Sequence, residues 1–395
     1  MKSFETIVIE KFKFRDSDDA LVIEYNGLTP EDLTDDVTKY LAGYINNRLH
    51  ETKQKNVTFF ISGEGIPLNP FLFTTAIVRC LVYEYRIPHY AFVIVSGAVP
   101  TLSNIEFYKH HIKKYALEQI KISFWNSFEN SASQVQLYRN TSTCDPFYSK
   151  FDTTPRIKPK LFLSYNRNAS RIHRLYLTAE VVSRNLLDRA FFSMYLGGVS
   201  NSKPSIAAGE LDYVFKHAAL FIPESCNRIR QILDDNIDLF PLRLNLCNTP
   251  SDTNEQPFHI DNDLHYYNNS YFSVVTETKF FADVDGVYDT QLDCYLFSEK
   301  TYKPILGKHP FIYMGMPGSL HVMRDSGYRT FHPYIDETYD TIVNDEYRLE
   351  AIIDEIERLS KFTDDQWLEW QTNIQNIVEH NFNVLKEHRP TYLTY

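Results

Sequence analysis

Short apolar runs that alternate with helical patterns constrain the fold of this chain more than any other feature. The runs are NVTFFIS (56–62), YAFVIV (90–95), LFLSY (161–165), YFSVV (271–275) and PFIYMG (310–315). Between them, apolar side chains recur at helical spacing, as at Leu72, Ala76, Ile77 and Cys80. Apolar strands separated by helices are typical of parallel sheets, because a parallel crossover needs a connection of helix length. The sequence therefore predicts an α/β fold.

The length of the chain and one polar stretch predict how it divides. At 395 residues it exceeds the roughly 250–300 residues at which a single core stops growing, so two or three folded units are expected. Residues 141–159 are rich in Thr, Ser, Asp and Pro without periodicity, as in a linker. We therefore expect an N-terminal domain over 1–150 and a second domain over 151–360. Residues 361–395 are expected to form C-terminal helices, since Thr363 precedes apolar residues at helical spacing.

Charge and cysteine content narrow the functional classes. The net charge of −11 excludes a surface built throughout for nucleic acid but leaves room for a local basic cleft. The five cysteines are odd in number and form no CxxC pair, which predicts reduced thiols in a cytosolic protein, with neither a disulfide nor a zinc site. No window reaches the roughly 18 apolar residues of a membrane helix. We expect a soluble cytoplasmic protein.

The segment from Phe297 to Pro304 carries one carboxylate and two ammonium groups at the head of a predicted short helix. Ligands of open α/β sheets bind at the carboxyl ends of strands, and helix N-termini favour anions. Glu299 is suited to accept hydrogen bonds from the two vicinal hydroxyls of a ribose, while Lys300 and Lys303 are suited to hold phosphate charge. The alternative is an exposed Glu–Lys pair of little energetic value. The segment indicates a nucleotide site.

A second cationic cluster follows the run at 161–165. Arg167, Arg171 and Arg174, with His173, open the next predicted helix. Guanidinium groups and free backbone N–H groups would converge there, which suits a diphosphate. The alternative is a helix start whose arginines face water.

Two further carboxylates stand at predicted strand ends. Glu277 follows the run at 271–275, where contact with the sugar of the donor is favoured over the alternative, the cap of a helix. Glu64 lies between Gly63 and Gly65 after the run at 56–62, where a carboxylate is placed to act as the general base for an acceptor hydroxyl. The alternative for Glu64 is a plain turn.

Three blocks together resemble the donor-binding half of GT-B glycosyltransferases, especially the α-fucosyltransferase and exostosin-like groups and their viral relatives. The blocks are SYNRNASRIHRLYL (164–177), SVVTETKFF (273–281) and FSEKTYKPILGKHPFIYMGMPGSLHVMRDSGYRTF (297–331). The resemblance covers about residues 160–360. It implies two Rossmann-like domains facing a cleft, with C-terminal helices crossing back over both.

The resemblance also implies roles for particular residues. In these families the Glu-Lys pair matching Glu299 and Lys300 contacts the nucleotide, and the arginine-bearing turn matching Arg167 and Arg171 meets the phosphates. A Leloir-type transferase of this kind needs no metal or other cofactor, because cations and helix N-termini neutralise the leaving diphosphate. Its co-substrate is a nucleotide-diphosphate sugar, which we expect to be UDP-linked.

The acceptor is the least constrained partner. The Asn-, Tyr- and Asp-rich composition resembles that of large bacteriophage proteins, some of which glycosylate hydroxymethylated bases of their own DNA. A basic strip over residues 109–114 would suit DNA, with Phe107, Tyr108 and Tyr115 stacking on an extruded base, although a solvated helix face explains the same residues. A glycan or lipid-linked saccharide is the alternative acceptor. A non-catalytic nucleotide-sugar-binding protein and a nucleic-acid-binding partner protein are the alternatives to an enzyme.

Overall fold

Ten strands and ten helices make up the regular structure of the described residues. The structure, a computed structural model, describes residues 12–17, 19–25, 34–61, 68–96, 101–124, 129, 151–166, 171–194, 214–216, 218–240, 242, 244, 264–281, 295–387 and 391–393. In chain order the elements are β1 (Phe12–Asp16), β2 (Ala20–Tyr25), α1 (Asp35–Thr52), β3 (Asn56–Ile61), α2 (Leu68–Tyr83), β4 (Phe92–Ser96), α3 (Leu102–Lys114), β5 (Lys121–Phe124), β6 (Lys160–Asn166), α4 (Ile172–Ser183), β7 (Ala190–Met194), α5 (Cys226–Asp235), α6 (Leu264–Asn268), β8 (Ser270–Thr276), α7 (Glu299–Leu306), β9 (Phe311–Met314), α8 (Ser319–Asp325), α9 (Asp345–Ser360), α10 (Asp364–Glu387) and β10 (Thr391–Leu393). The predicted α/β class is confirmed.

The chain divides into two compact units. The first comprises residues 1–130, 285–296 and 389–395, and the second comprises 131–284 and 297–388. The sequence had placed one boundary within 141–159 and had set residues 361–395 apart. In the structure α10 belongs to the second unit, while β10 joins the sheet of the first. The chain therefore contributes to the first unit in three separate segments.

The first unit is built on a sheet with the order β1-β2-β3-β4-β5-β10. Strands β2 to β5 are parallel and neighbours in sequence order, and β1 and β10 are antiparallel edge strands. Right-handed crossovers between such strands place their helices on one face. Burial in β4 agrees, since Phe92 and Ile94 are buried while Val93 and Val95 are half-buried. The parallel part of this sheet has no reversal of strand order.

Aromatic and aliphatic side chains from the sheet and its three helices form the first core. Leu41, Phe71 and Ile112, one from each helix, are fully buried together with Phe59 and Ile94 of the sheet. The helical patterns that the sequence showed before residues 56 and 90 correspond to α1 and α2. Burial of these faces supplies the free energy that holds the unit together, because apolar area removed from water is the main favourable term in folding.

The second unit is built on a four-stranded parallel sheet with the order β7-β6-β8-β9. The runs at 161–165, 271–275 and 310–315 correspond to β6, β8 and β9, which confirms them as strands. From β6 the chain moves outward to β7 and then returns to add β8 on the other side. The strand order thus reverses between β6 and β8. Such a reversal opens a crevice at the carboxyl ends of the strands, since the flanking connections leave in opposite directions.

Side-chain caps fix where several helices begin. Thr34 caps α1 by accepting from the backbone N–H of Val37, and Asn344 caps α9 by accepting from Tyr347. At α10 the predicted cap is confirmed, since Thr363 Oγ1 accepts from Gln366 N at 3.3 Å and Gln366 Oε1 accepts from Thr363 N at 2.8 Å. This reciprocal pair is a capping box, which satisfies backbone donors that have no partner inside the helix.

Candidate functional site

The candidate site lies where the strand order of the second unit reverses. Two polar side chains end the strands on either side of the reversal: Asn166 on β6 and Thr276 on β8. Thr276 Oγ1 donates to Asn166 Oδ1 at 2.6 Å, and Asn166 Nδ2 donates to Ser164 Oγ at 2.9 Å. All three side chains are buried. These bonds hold the two strand ends together.

Helix α4 begins at this point without a side-chain cap. Its N-cap residue is Arg171, in an extended conformation with φ −106° and ψ 112°. The Arg171 side chain is exposed and has no hydrogen-bond or ion-pair partner among the described residues. Backbone N–H groups at a helix start carry partial positive charge and favour anions. The start of α4 therefore combines an exposed guanidinium with an uncapped helix N-terminus.

His173 and Arg174 have a different role from the one predicted for the arginine cluster. Both are buried, and Arg174 Nη2 donates to the backbone oxygen of Thr276 at 3.1 Å. His173 Nε2 donates to the backbone oxygen of Glu277 at 2.8 Å. Burial, and after it the charge of Arg174, hold the pKa of His173 well below its ordinary value, so the imidazole is neutral. The two side chains fasten the first turn of α4 to the end of β8.

Glu277 is fully buried and binds the start of α7. Its carboxylate accepts from Ser298 N at 2.9 Å, from Ser298 Oγ at 2.7 Å and from Thr301 Oγ1. Of the two interpretations of Glu277, sugar contact and helix cap, the geometry favours the cap. Sequence reasoning could not decide between them because Ser298 lies 21 residues further along the chain.

Glu299 and Lys300 lie at the start of α7, Lys303 lies in its last turn, and all three are half-buried. Lys300 Nζ is 2.6 Å from Glu299 Oε1. Burial acts to raise the pKa of Glu299, but the charges of Lys300 and, more weakly, Lys303 outweigh it, and the pKa lies below its ordinary value. Lys303 Nζ lies 5.9 Å from the ring centre of Tyr165, at the end of β6. Glu299 is thus an ionised acceptor beside the strand reversal.

Helix α8, which follows β9, also begins against a carboxylate of the chain. It begins after Gly318, whose φ of 81° is a left-handed conformation that glycine adopts without strain. Leu320 N lies 3.2 Å from both carboxylate oxygens of Asp340. Burial raises the pKa of Asp340, although these backbone donors oppose the rise. Asp340 therefore fills the N-terminus of α8, as Glu277 and Ser298 fill that of α7.

Several predicted residues lie outside the site or outside the described residues. Glu64 and Arg167 are not among the described residues, so their positions stay predictions. The suggestion that Phe107 and Tyr108 stack on a base is wrong, because their exposed fractions are 8% and 1%. They face the first core because they follow the apolar stripe of α3, and Tyr108 is bonded to Ser96. Tyr115 is half-buried, 5.7 Å from the guanidinium carbon of Arg79.

The described residues contain no group of three His, Cys, Asp or Glu side chains placed to hold a metal ion. None of the helices in the described part of the chain has both the length and the apolar character needed to cross a bilayer. Comparisons of the chain with protein-family models, with curated proteins and with solved structures found no match.

Proposed function

We propose that this protein is a glycosyltransferase of GT-B architecture that moves a sugar from a nucleotide-diphosphate donor to a hydroxyl acceptor. One observation carries the proposal. Of the helices α4, α7 and α8, two have an N-terminus filled by a carboxylate of the chain itself, while at the start of α4 the described residues place the exposed Arg171 and no such carboxylate. An anion brought by a ligand would complete that position, and the diphosphate of a nucleotide sugar has the required charge.

The roles of the residues follow from their positions. The diphosphate would lie at the start of α4 against Arg171, with Arg167 as a further predicted contact. Glu299, ionised and half-buried, would accept hydrogen bonds from the ribose. Lys300 and Lys303 would lie close enough to share the charge of the phosphates. As the bond to the sugar breaks, negative charge grows on the leaving diphosphate, and fixed cations that stabilise this charge lower the barrier.

A non-catalytic nucleotide-sugar-binding protein is the second candidate. It is favoured because every described residue of the site is one that we propose for the donor, and all of these residues lie in the second unit. An acceptor base is needed for catalysis, and Glu64 is our proposal for it. Transfer, and not binding alone, separates the two functions.

The donor site is tested by thermal shift with UDP-, GDP- and CMP-sugars, because a ligand that binds only the folded state raises its stability. We expect a shift with one donor class, UDP-linked in the first instance. Arg171→Ala should weaken that binding about tenfold, the loss expected for one charged hydrogen bond. Arg329→Ala is the matched control, since Arg329 is also exposed in the second unit. Equal binding by wild type and Arg171→Ala would contradict the assignment.

Catalysis and the acceptor are tested with radiolabelled donor. We propose transfer in the cytoplasm to hydroxymethylated bases of phage DNA, so DNA with hydroxymethylcytosine should be labelled and unmodified DNA should not. Labelling of a glycan or lipid-linked saccharide would assign the alternative acceptor. Glu299→Gln should reduce turnover, whereas full turnover in this variant would show that the donor assignment is wrong. Binding without transfer to any acceptor would identify the non-catalytic protein.

A further inference from the structure

The Glu277 carboxylate has a fixed set of partners at the start of α7. A carboxylate only accepts hydrogen bonds, so the Ser298 hydroxyl must use its one hydrogen to donate to Glu277. The lone pairs of the same hydroxyl are then left to accept from Lys300 N at 3.3 Å and from Lys300 Nζ at 3.4 Å. Lys300 in turn bonds Glu299 at 2.6 Å. A continuous chain of hydrogen bonds thus runs from Glu277 to Glu299.

The backbone of Glu277 is tied to the other half of the site. Its oxygen accepts from His173 Nε2 at 2.8 Å, in the first turn of α4. Arg174, the next residue, bonds the backbone oxygen of Thr276. One residue at the end of β8 therefore joins the start of α4 to the start of α7. Its side chain is fully buried, so it does this without being open to a ligand.

We infer that Glu277 is a positioning residue that sets the orientation of Glu299 relative to the start of α4. The inference rests on the proposed nucleotide site and deepens it. Glu277 fixes Ser298 and Thr301, these fix the first turn of α7, and that turn presents Glu299 to a ribose whose phosphates lie at α4. An amide at position 277 puts an NH2 group in place of one oxygen. That group would face either Ser298 N and Thr301 Oγ1 or Ser298 Oγ and Thr278 N, so in each orientation a backbone N–H loses its acceptor and the first turn of α7 is held less firmly.

The test compares two probes that use the site differently. UDP, GDP and CDP present a ribose and two phosphates, whereas inorganic pyrophosphate presents the phosphates alone. Glu277→Gln should weaken the best-bound nucleoside diphosphate about tenfold and pyrophosphate by a smaller factor, because both probes use Lys300 but only the nucleotide uses Glu299. Arg171→Ala is the matched comparison and should weaken both probes. Calorimetry measures all of these affinities.

A double-mutant cycle separates positioning from a general structural role. If Glu277 acts through Glu299, then in a Glu299→Ala background the change Glu277→Gln should weaken the nucleotide by no larger a factor than it weakens pyrophosphate. Additive losses, or equal weakening of nucleotide and pyrophosphate by Glu277→Gln, would overturn the inference. If the wild type binds no nucleotide, the proposed function itself fails, and the inference falls with it. If the wild type binds the nucleotide and Glu277→Gln binds it equally well, the inference is wrong but the proposed function is not contradicted.

A milder variant covers the case in which Glu277→Gln does not fold. Ser298→Ala keeps the backbone N–H that binds Glu277 and removes only the hydroxyl that links Glu277 to Lys300. It should show the same difference between nucleotide and pyrophosphate, at smaller size. Thr372→Ala, on the exposed side of α10, is the control that should change neither affinity. Equal affinities of Ser298→Ala and the wild type for the nucleotide would contradict the role assigned to this chain of hydrogen bonds.

Discussion

Arg171 and Arg174 are arginines three positions apart, yet their side chains lie in different surroundings. Arg171 is the N-cap, with a non-helical backbone, and its guanidinium is exposed. Arg174 is one turn into α4, 4% exposed, and its guanidinium binds the backbone of Thr276. The sequence predicted a cationic cluster at this helix start but could not show which arginine faces the sheet. That depends on how α4 packs, because a buried guanidinium needs acceptors around it.

Lys158 is a half-buried lysine just before the start of β6, at the opposite end of the strands from the candidate site. Its Nζ donates to the backbone oxygen of Ser270 at 2.8 Å. Burial, and after it the charge of Arg156, lower the pKa of Lys158 to about 7, while Asp152 acts weakly in the other direction. His309, bonded to the same backbone oxygen, has a pKa lowered to about 3 by burial and by Lys158. His309 therefore stays neutral throughout the range in which Lys158 titrates.

The lowered pKa of Lys158 predicts a pH dependence of stability. An ordinary lysine titrates near about 10.4, so between pH 7 and that value the unfolded chain binds a proton that the folded chain does not. The free energy of unfolding should therefore rise with pH across this window, by at most about 1.4 kcal/mol per pH unit, and Lys158 should add no slope below pH 7. Urea unfolding at several pH values measures this slope.

Replacement of the amine provides the control for that prediction. Lys158→Met should lose the rise between pH 7 and 10, whereas Lys386→Met, at an exposed position of α10, should keep it. An identical slope in the wild type and in Lys158→Met would show that Lys158 titrates normally in the folded protein.

At the scale of elements, helix starts decide where an external anion fits. α7 and α8 each begin against a buried carboxylate, Glu277 and Asp340 respectively, whereas no carboxylate in the described part of the chain binds the start of α4. Internal carboxylates stabilise a helix start because they satisfy backbone donors and oppose the helix dipole. Because backbone donors at these two helix starts already bind carboxylates of the chain, we do not expect a ligand anion to bind there. The difference between the three helices is therefore both structural and functional.

The capping box of α10 gives a prediction for one element. Thr363→Ala removes the Oγ1 that accepts from Gln366 N, and the free energy of unfolding should fall by about 1 kcal/mol. Thr372→Ala, in the middle of the same helix, should be neutral or slightly stabilising, since alanine has the higher helix propensity. Chemical denaturation of both variants measures the difference. Equal effects at the two positions would show that the cap does not stabilise α10.

At the scale of the molecule, the chain folds into two units that each have their own sheet. The first sheet is completed by β10, which pairs with β5. In the sequence, β10 comes after the last residue of the second unit. The second unit contains every described residue of the proposed donor site. Stability and ligand binding should therefore be separable between the units, since a chain of several domains need not unfold in one step.

Calorimetry of the full chain and of a chain ending at Glu387 tests this separation. The truncation removes β10 and leaves β5 as an edge strand, so the transition of the first unit should move to lower temperature. The nucleotide that binds the wild type should raise the transition of the second unit equally in both chains, because binding stabilises only the part that binds. Loss of nucleotide binding on truncation would contradict the separation.

Local patterns in the sequence determined the α/β class, the strands β6, β8 and β9, the helices α1, α2 and α10, and the placing of Glu299 and Lys300 at a helix start. These features follow from residues close together in the chain, where periodicity and caps act directly. The tertiary structure decided the strand order, the burial of Arg174 and the carboxylates that fill α7 and α8. Those outcomes depend on contacts such as His173 with Glu277, which are 104 residues apart. No local pattern encodes such a contact, because it forms only when packing brings separate elements to the same edge of a sheet.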